Sequence, residues 1–387
     1  MKKVRVLHVI GGFMRGGVET YLVQILRHID RDRFKLDFLV HTKQPCAYDD
    51  EVRRLGSKII PCLHPRKPLS YRSNFLRILR DQGPYDIVHS HVHHYSGFVL
   101  KLAAKAGVPK RIAHSHSDTS REQRTASVPR KFYFRLMKRW IARYATVGIA
   151  VSGKAASALF GDAWESDNRW RVFPCGIDLD PFRKSTNREA VRAEFGFSPD
   201  DFVIGHVGSF RESKNHGFLV EVAAEVRNLE PKMRLLLIGD GQRRAAVEQQ
   251  IVRLGLSDRT VLAGSRADVP RLMLGAMDLF LFPSLFEGLG LVLVESQAAG
   301  LPCLISDVVP EEADLYKPLV RRLSLSQPAS QWAKALLHIR EIRSNVDRSE
   351  AFSLIENSHF NIKVNLRKLE EMYLRVLKKS HATMAGA

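Results

Sequence analysis

Apolar positions along this chain alternate between two rhythms. Short unbroken apolar runs at Val4–Ile10, Phe202–Val207 and Leu279–Phe282 read as strands buried on both faces. Between them, residues 18–29, 217–229 and 291–300 carry apolar side chains at helical spacing. The same pattern predicts strands at 34–42, 58–62, 86–91, 111–113, 234–239 and 303–305, and helices at 49–55 and 75–82. A long helix is expected within 358–379, with a frayed tail from His381 to Ala387. Strand, glycine loop and helix follow one another from residue 4 and again from residue 202. That repetition predicts an α/β protein of two Rossmann-like, doubly wound domains, whose ligands sit beyond the carboxyl ends of the strands. The expected division is 1–185, 186–355 and a terminal segment 356–387.

Length supports this division, since 387 residues exceed what one core usually holds. No apolar run approaches the ~20 residues that span a bilayer. The opening MKKVRVLHVIGG has His8 inside a short apolar stretch and reads as a first strand, not a signal peptide. Cys46, Cys62, Cys175 and Cys303 are scattered without CxxC spacing, so neither disulfides nor a cysteine-based zinc site is expected, and the cytoplasm is the default compartment. Charge changes the picture more. Residues 1–185 hold 34 Lys/Arg against 16 Asp/Glu, whereas the remainder holds 26 against 25. Nearly all of the +19 net charge thus belongs to the first half, which implies an anionic partner there.

Candidate chemistry centres on LFLFPSLFEGLGLVLVESQAAGLPCLISD, residues 279–307. Pro283 and Ser284 stop a strand, Gly288 and Gly290 permit a tight turn, and a helix follows. Glu287 lies in the loop and Glu295 one to two turns into the helix. Amides at a helix start suit a phosphate, while carboxylates can accept from sugar hydroxyls, so the two acids could hold the ends of a nucleotide-sugar. Spacing alone also allows two solvated surface acids. Gly11-Gly12 and Gly16-Gly17 lie between the first strand and its helix, without GxGxxG spacing. The run HSHVHH places His89, His91 and His93 on one strand face with no Cys or carboxylate beside them, so no metal site is expected. His114 and His116 close a later strand. Within 127–147, basic residues alternate with an apolar arc of Phe132, Leu136, Met137, Trp140, Ile141 and Tyr144, with Tyr133 inside it and Phe134 at its edge. Such a helix can lie on an anionic bilayer or simply pack on a core.

FEGLGLVLVESQAAGLP resembles the Glu-x7-Glu signature of the retaining GT-B glycosyltransferases of family 4, and four further segments support the likeness over residues 4 to about 340. The resemblance implies that Glu287 approaches the donor sugar and that Glu295 holds the ribose hydroxyls. It assigns the donor-facing loop to Gly288, Leu289 and Gly290, and the opening Gly-Gly-x-Glu to Gly16 and Gly17. GSFRESKNH is similar to the family's Gly-Arg-x4-Lys, whose cations neutralise the diphosphate. Lys214 matches, but Ser209 stands at the arginine position, leaving Arg211 as the nearest guanidinium. The segment at 261–269 matches the one against the nucleobase, with backbone at Ala263 to Arg266, Gly264 included, as the candidate contact. A family histidine beside the sugar and leaving phosphate corresponds to His116, or to His114. In the linker, Cys175 replaces the usual Asn of Pro-Asn-Gly-x-Asp. The final helix is expected to cross back to the first domain.

These implications predict a hexosyltransferase-type enzyme with its active site in the cleft between the domains, moving sugar from a nucleotide-sugar, with UDP-sugar preferred. The acceptor would be a glycan or polyprenyl-linked oligosaccharide in exopolysaccharide assembly. No cofactor or metal is expected, nor any nucleic acid. The protein is expected at the inner face of the cell membrane, held peripherally through 128–147. Two alternatives are a GT-B nucleotide-sugar epimerase, which would need more acids in the first domain, and a non-catalytic nucleotide-sugar or nucleic-acid-binding protein.

Overall fold

The computed structural model describes residues 2–63, 65–340 and 347–384. The chain forms two compact units, one running to Gly176 and resuming at Ile362, the other spanning Ile177–Asn361. In the first, β1 (Val4–Ile10), β2 (Phe34–Val40), β3 (Ile59–Pro61), β4 (Ile87–Ser90), β5 (Lys110–Ser115), β6 (Val147–Ala150) and β7 (Trp170–Val172) form one sheet. Its order is β3-β2-β1-β4-β5-β6-β7, and every pairing is parallel. In the second, β8 (Phe202–Val207), β9 (Met233–Ile238), β10 (Thr260–Gly264), β11 (Leu279–Phe282), β12 (Cys303–Ser306) and β13 (Val320–Leu323) are also all parallel, ordered β10-β9-β8-β11-β12-β13. Helices cover both faces, which is why these strands are apolar runs and not alternating ones. Each order reverses beside the unit's first strand, between β1 and β4 and between β8 and β11. Such switch points leave a crevice at the carboxyl ends of the strands.

The contact division falls at Gly176/Ile177 and Asn361/Ile362, against the expected 185/186 and 355/356. Packing explains the shift. Ile177 already bridges to Asn361, and its amide donates to the Phe360 carbonyl at 2.7 Å. The helix Ile362–Met384 instead packs on Gly17–His28 in the first unit, where the Tyr21 hydroxyl donates to Asn365 Oδ1 at 2.8 Å. Asn365 Nδ2 donates in turn to the Pro174 carbonyl at 2.7 Å. A side chain at Gly176 would sit 2.8 Å from the Ile362 Cα, so the turn glycine of the linker is sterically required. The expected frayed tail begins within this helix, whose backbone runs to Met384, and 385–387 lie outside the described residues.

Three further expectations need correction. The helix placed at 75–82 begins at Pro68, since proline is tolerated in a first turn. The strand placed at 86–91 ends at Ser90, and His93 lies in a 3₁₀ turn with φ 48°, so it does not share a strand face with His89 and His91. On the helix Val128–Tyr144, Phe134 is buried and Phe132 is 68% exposed, the reverse of the apolar arc read from spacing. The reason is local: Phe134 packs against His94, with ring centroids 4.4 Å apart, while the Met137 backbone lies against Gly97 of the helix Ser96–Lys105. Val128 and Phe132 therefore overhang the packed face, among the exposed Arg130, Lys131, Arg135, Arg139 and Arg143.

Candidate active site

The second unit supplies a charged site at the carboxyl ends of β8 and β11. After β11, Ser284 is fully buried and its hydroxyl donates to Glu287 Oε1 at 2.7 Å. Lys214, in the 3₁₀ turn after β8, donates to the same oxygen at 2.6 Å. Both charged side chains are largely shielded, at 17% and 10% exposure. Removing one partner of such a pair leaves an uncompensated charge, which is strongly destabilising. Two backbone bonds brace the arrangement, Leu285 N to Ser213 O at 2.8 Å and Ser306 Oγ to Ser284 O at 2.6 Å. The helix Leu291–Ala298 then starts at Gly290, whose φ of 87° disfavours any other residue. Gly290 and Leu289 are buried, and Gly288 is half-buried beside Glu287.

Glu295 sits in the second turn of that helix, half-buried, and its carboxylate accepts no hydrogen bond among the described residues. Burial pushes its pKa up to about 7. It is an acceptor without a protein donor, as a contact for sugar hydroxyls would be. At the same sheet, the loops after β8, β9 and β10 are tied backbone to backbone. Gly208 N donates to Ile238 O at 2.9 Å, Gly239 N to Gly264 O at 2.8 Å, and a side chain at Gly239 would meet Gly208 O at 2.1 Å. Gly264 ends β10 with φ 66°. The Arg266 guanidinium is paired with Asp268 and Glu194 through Nε and Nη2, so its charge is compensated and its backbone is the part this residue offers a ligand. Arg211 is exposed and makes no side-chain ion pair or hydrogen bond among the described residues, which leaves its guanidinium available.

The first unit supplies a neutral, imidazole-rich edge. Gly16 and Gly17 open the helix Gly17–His28, and a side chain at Gly17 would meet nothing within 4 Å, so that backbone is approachable. A side chain at Gly16 would strike the Glu19 carboxylate at 2.4 Å. His116 lies just past β5, half-buried, with Nε2 2.8 Å from His91 Nδ1 and Nδ1 3.7 Å from Cys175 Sγ. His91 Nε2 in turn meets His8 Nδ1 at 2.9 Å. His114, inside β5, is wholly buried, and neither of its ring nitrogens has a partner among the described residues. Each unmade buried hydrogen bond of this kind costs about 1–3 kcal/mol. Burial drives all of these rings neutral: His116 and His8 fall to about 3, and His89, His91 and His114 are held well below the ordinary value.

Sequence reasoning named Glu287 and Lys214 separately, and the structure joins them. It passed over Ser284 as a strand terminator, although a serine at that turn is the group that fixes the Glu287 carboxylate. It also passed over His8, because the parallel register that sets His8 beside His89 is not visible in a linear run.

Two family descriptions match the chain: Glycosyltransferase Family 4 over residues 15–181 and Glycosyl transferases group 1 over residues 187–358. A Bacillus subtilis protein named as glycosyltransferase EpsF is 36% identical over 337 residues, 86% of each chain. The UDP-Gal:alpha-D-GlcNAc-diphosphoundecaprenol alpha-1,3-galactosyltransferase of Escherichia coli is 24% identical over 384 residues, 96% of this chain and 97% of its own. In fold, Anabaena Alr3699/HepE, solved in complex with UDP and glucose, superposes with a TM-score of 0.79 at 20% identity, covering 95% of this chain and 99% of that one. The chain belongs to the glycosyltransferases of family 4 and has their GT-B fold. It is a transferase, and the epimerase alternative is not favoured by these relatives. No helix among the described residues is long and apolar enough to cross a membrane.

Proposed function

We propose that the chain transfers a hexose, with retention, from a UDP-sugar to a polyprenyl-linked or glycan acceptor in surface-polysaccharide assembly. The observation that carries this reading is the Lys214–Glu287 pair, 2.6 Å apart and braced by Ser284, at the carboxyl end of β11 with the open Glu295 eight residues on. Lys214, aided by Arg211 and the Gly16-Gly17 amides, stabilises the leaving nucleoside diphosphate, the electrostatic contribution that usually dominates such reactions. Glu287 holds a hydroxyl of the donor sugar, and Glu295 holds the ribose. Backbone at Gly264 to Arg266 meets the nucleobase, and the Gly288–Gly290 turn meets the donor. His116 serves as a neutral hydrogen-bond donor beside the sugar, because burial leaves it no charge near pH 7. The departing phosphate takes the acceptor proton on the same face, and no metal takes part in transfer.

The acceptor class rests on the names of two relatives, the diphosphoundecaprenol galactosyltransferase and a capsular polysaccharide biosynthesis enzyme of Staphylococcus aureus. A lipid-linked acceptor agrees with the basic, partly apolar surface of the helix Val128–Tyr144, which we assign to the anionic inner face of the cell membrane. The test incubates the enzyme with UDP-, GDP- or ADP-hexoses and a sugar-diphospho-polyprenol, following product by mass spectrometry and its anomeric configuration by NMR. Turnover with a UDP-hexose, a rate not lowered by EDTA and an axial product bond are expected from an axial donor. Transfer from GDP- or ADP-sugars alone, or inversion, would overturn the assignment.

A further inference from the structure

Sugar transfer uses one histidine of the first sheet, yet five converge at its carboxyl edge from three strands. His8 comes from β1, His89 from β4 with His91 just beyond it, and His114 from β5 with His116 just beyond it. Their rings pack closely: His89 and His114 stack with centroids 5.3 Å apart, while His114 and His116, tilted by 32°, come within 3.8 Å. A neutral imidazole carries one donor and one acceptor, so stacked rings with bare nitrogens make a poor hydrogen-bonding core. His114 is the extreme case, fully buried with both nitrogens unpartnered. A metal ion would resolve that arrangement.

We propose that His91, His114 and His116 bind one divalent transition-metal ion of the zinc class. One nitrogen from each of the three lies within 4.8 Å of the others. Zinc–imidazole bonds of about 2.0–2.1 Å place ligand nitrogens roughly 3.3 Å apart in a tetrahedral set, a shift of about half an ångström from the 2.8 Å His91–His116 separation. The outward nitrogens are already oriented. With the ion on His91 Nδ1, His91 Nε2–H donates to His8 Nδ1, 2.9 Å away. With the ion on His116 Nε2, His116 Nδ1–H points at Cys175 Sγ, 3.7 Å away. Partners of this kind fix tautomer and ring orientation in metal sites. An all-imidazole set suits zinc, cobalt, nickel or copper and not magnesium or calcium, which take oxygen ligands. His91 and His116 are each partly open, which gives the ion a way in and leaves a fourth position for water. A second trio, His8, His89 and His91, also satisfies the distance condition, but His8 and His89 are both buried, so only His91 would offer an ion a way in.

The ion occupies His116 Nε2, so metal binding withdraws that histidine from the donor sugar and makes the site inhibitory. The binding claim stands apart from the transfer reading, and only the inhibition rests on it. The experiment titrates tag-free, metal-stripped full-length protein with zinc chloride by calorimetry, and with cobalt chloride by visible absorption. One equivalent of zinc and intense ligand-field bands of four-coordinate cobalt are expected. His91→Gln and His114→Gln should weaken binding at least tenfold, whereas His89→Gln and the exposed His338→Gln should not. Circular dichroism confirms that each variant is folded; should His114→Gln fail that check, the half-buried His116→Gln takes its place with the same expected loss. Absence of stoichiometric binding by the wild type, or binding unaltered in His91→Gln, overturns the proposal. Loss in His89→Gln equal to that in His114→Gln overturns the choice of trio. In turnover assays, zinc should inhibit and EDTA restore the rate; stoichiometric binding without inhibition would overturn the inhibitory role alone.

Discussion

The carboxyl edges of the two sheets are built on one plan and carry opposite chemistry. Each lies where the strand order reverses beside the unit's first strand, and each first strand feeds a glycine-containing loop before its helix. At the second edge a lysine and a glutamate face each other at 2.6 Å, with a further carboxylate open beside them. At the first edge five neutral imidazoles stand instead. The first half of the sequence carries nearly all of the +19 charge, yet the histidine cluster at its strand edge carries none of it. Much of that charge lies outside, on surfaces such as the helix Val128–Tyr144. Net charge therefore reports the outer surface, and the residues just after each strand decide what that edge can do.

The sharpest way to break the comparison is to remove the fixed cation. Lys214→Ala should lower kcat/KM by about 10²–10³-fold, the range for losing one charge-stabilising donor, or roughly 2.7–4 kcal/mol. Steady-state rates against UDP-sugar concentration measure this. His116→Gln, which exchanges one neutral group for another, should cost less. A larger loss at His116 than at Lys214 would reverse the proposed division of labour.

Next comes the Glu295 carboxyl, which titrates near neutrality. Burial raises the Glu295 pKa from its ordinary 4.5 to about 7. A raised folded-state value means that its stabilising share is full below about 4.5 and is lost as pH rises through about 7. Glu295→Gln should therefore gain stability over wild type across that window, by at most on the order of 3 kcal/mol. UDP affinity should move the opposite way in wild type, tightening as the carboxylate ionises, and Glu295→Gln should lose that part of the dependence, keeping only the part from ionisation of the UDP phosphate. Denaturant melts and calorimetry at pH 5, 6, 7 and 8 read both. A flat wild-type profile would refute the buried-acid argument.

Ribose contact is the third test. Glu295→Ala should weaken UDP binding by about 1.5–3 kcal/mol, the range for a hydrogen bond to a charged group. Glu287→Ala should instead reduce turnover more than UDP affinity. Equal UDP dissociation constants for wild type and Glu295→Ala would remove the ribose assignment.

Legibility in the sequence followed the same divide. Strands buried on both faces announce themselves as apolar runs, so β1, β8 and β11 were placed to the residue. Short or partly polar strands were not: β7, Trp170–Val172, and β13, Val320–Leu323, lack any such run. In the charged site the Glu-x7-Glu spacing is local, so Glu287 and Glu295 could be read directly, while Ser284 needed the turn geometry to gain its role. The imidazole edge depends on register between β1, β4 and β5, which no local spacing encodes. Phe132 and Phe134 show the remaining difficulty. Two residues apart, they lie about 200° apart around the helix, at opposite edges of the broad apolar arc, and contact with His94 takes the Phe134 edge inside.

That pair supplies the smallest expected effect. Phe132 is 68% exposed beside Lys131 and Arg135, whereas Phe134 is 6% exposed. Surface changes away from caps and cores usually alter stability by less than about 0.5 kcal/mol, so Phe132→Ser should leave the melting profile unchanged. Turnover on a short soluble acceptor should also persist, because the donor groups Lys214, Glu287 and Glu295 belong to the other unit. Only membrane partition should respond. Full burial of a phenylalanine contributes about 1.5–3 kcal/mol, and partial insertion between headgroups should give roughly 1 kcal/mol, about fivefold in vesicle affinity. Flotation with vesicles of phosphatidylglycerol at low salt measures it, with neutral vesicles as control. If wild type and Phe132→Ser float alike, the aromatic overhang plays no part in membrane contact. If the wild type does not float at all, the basic helix is an ordinary packed helix with a solvated face.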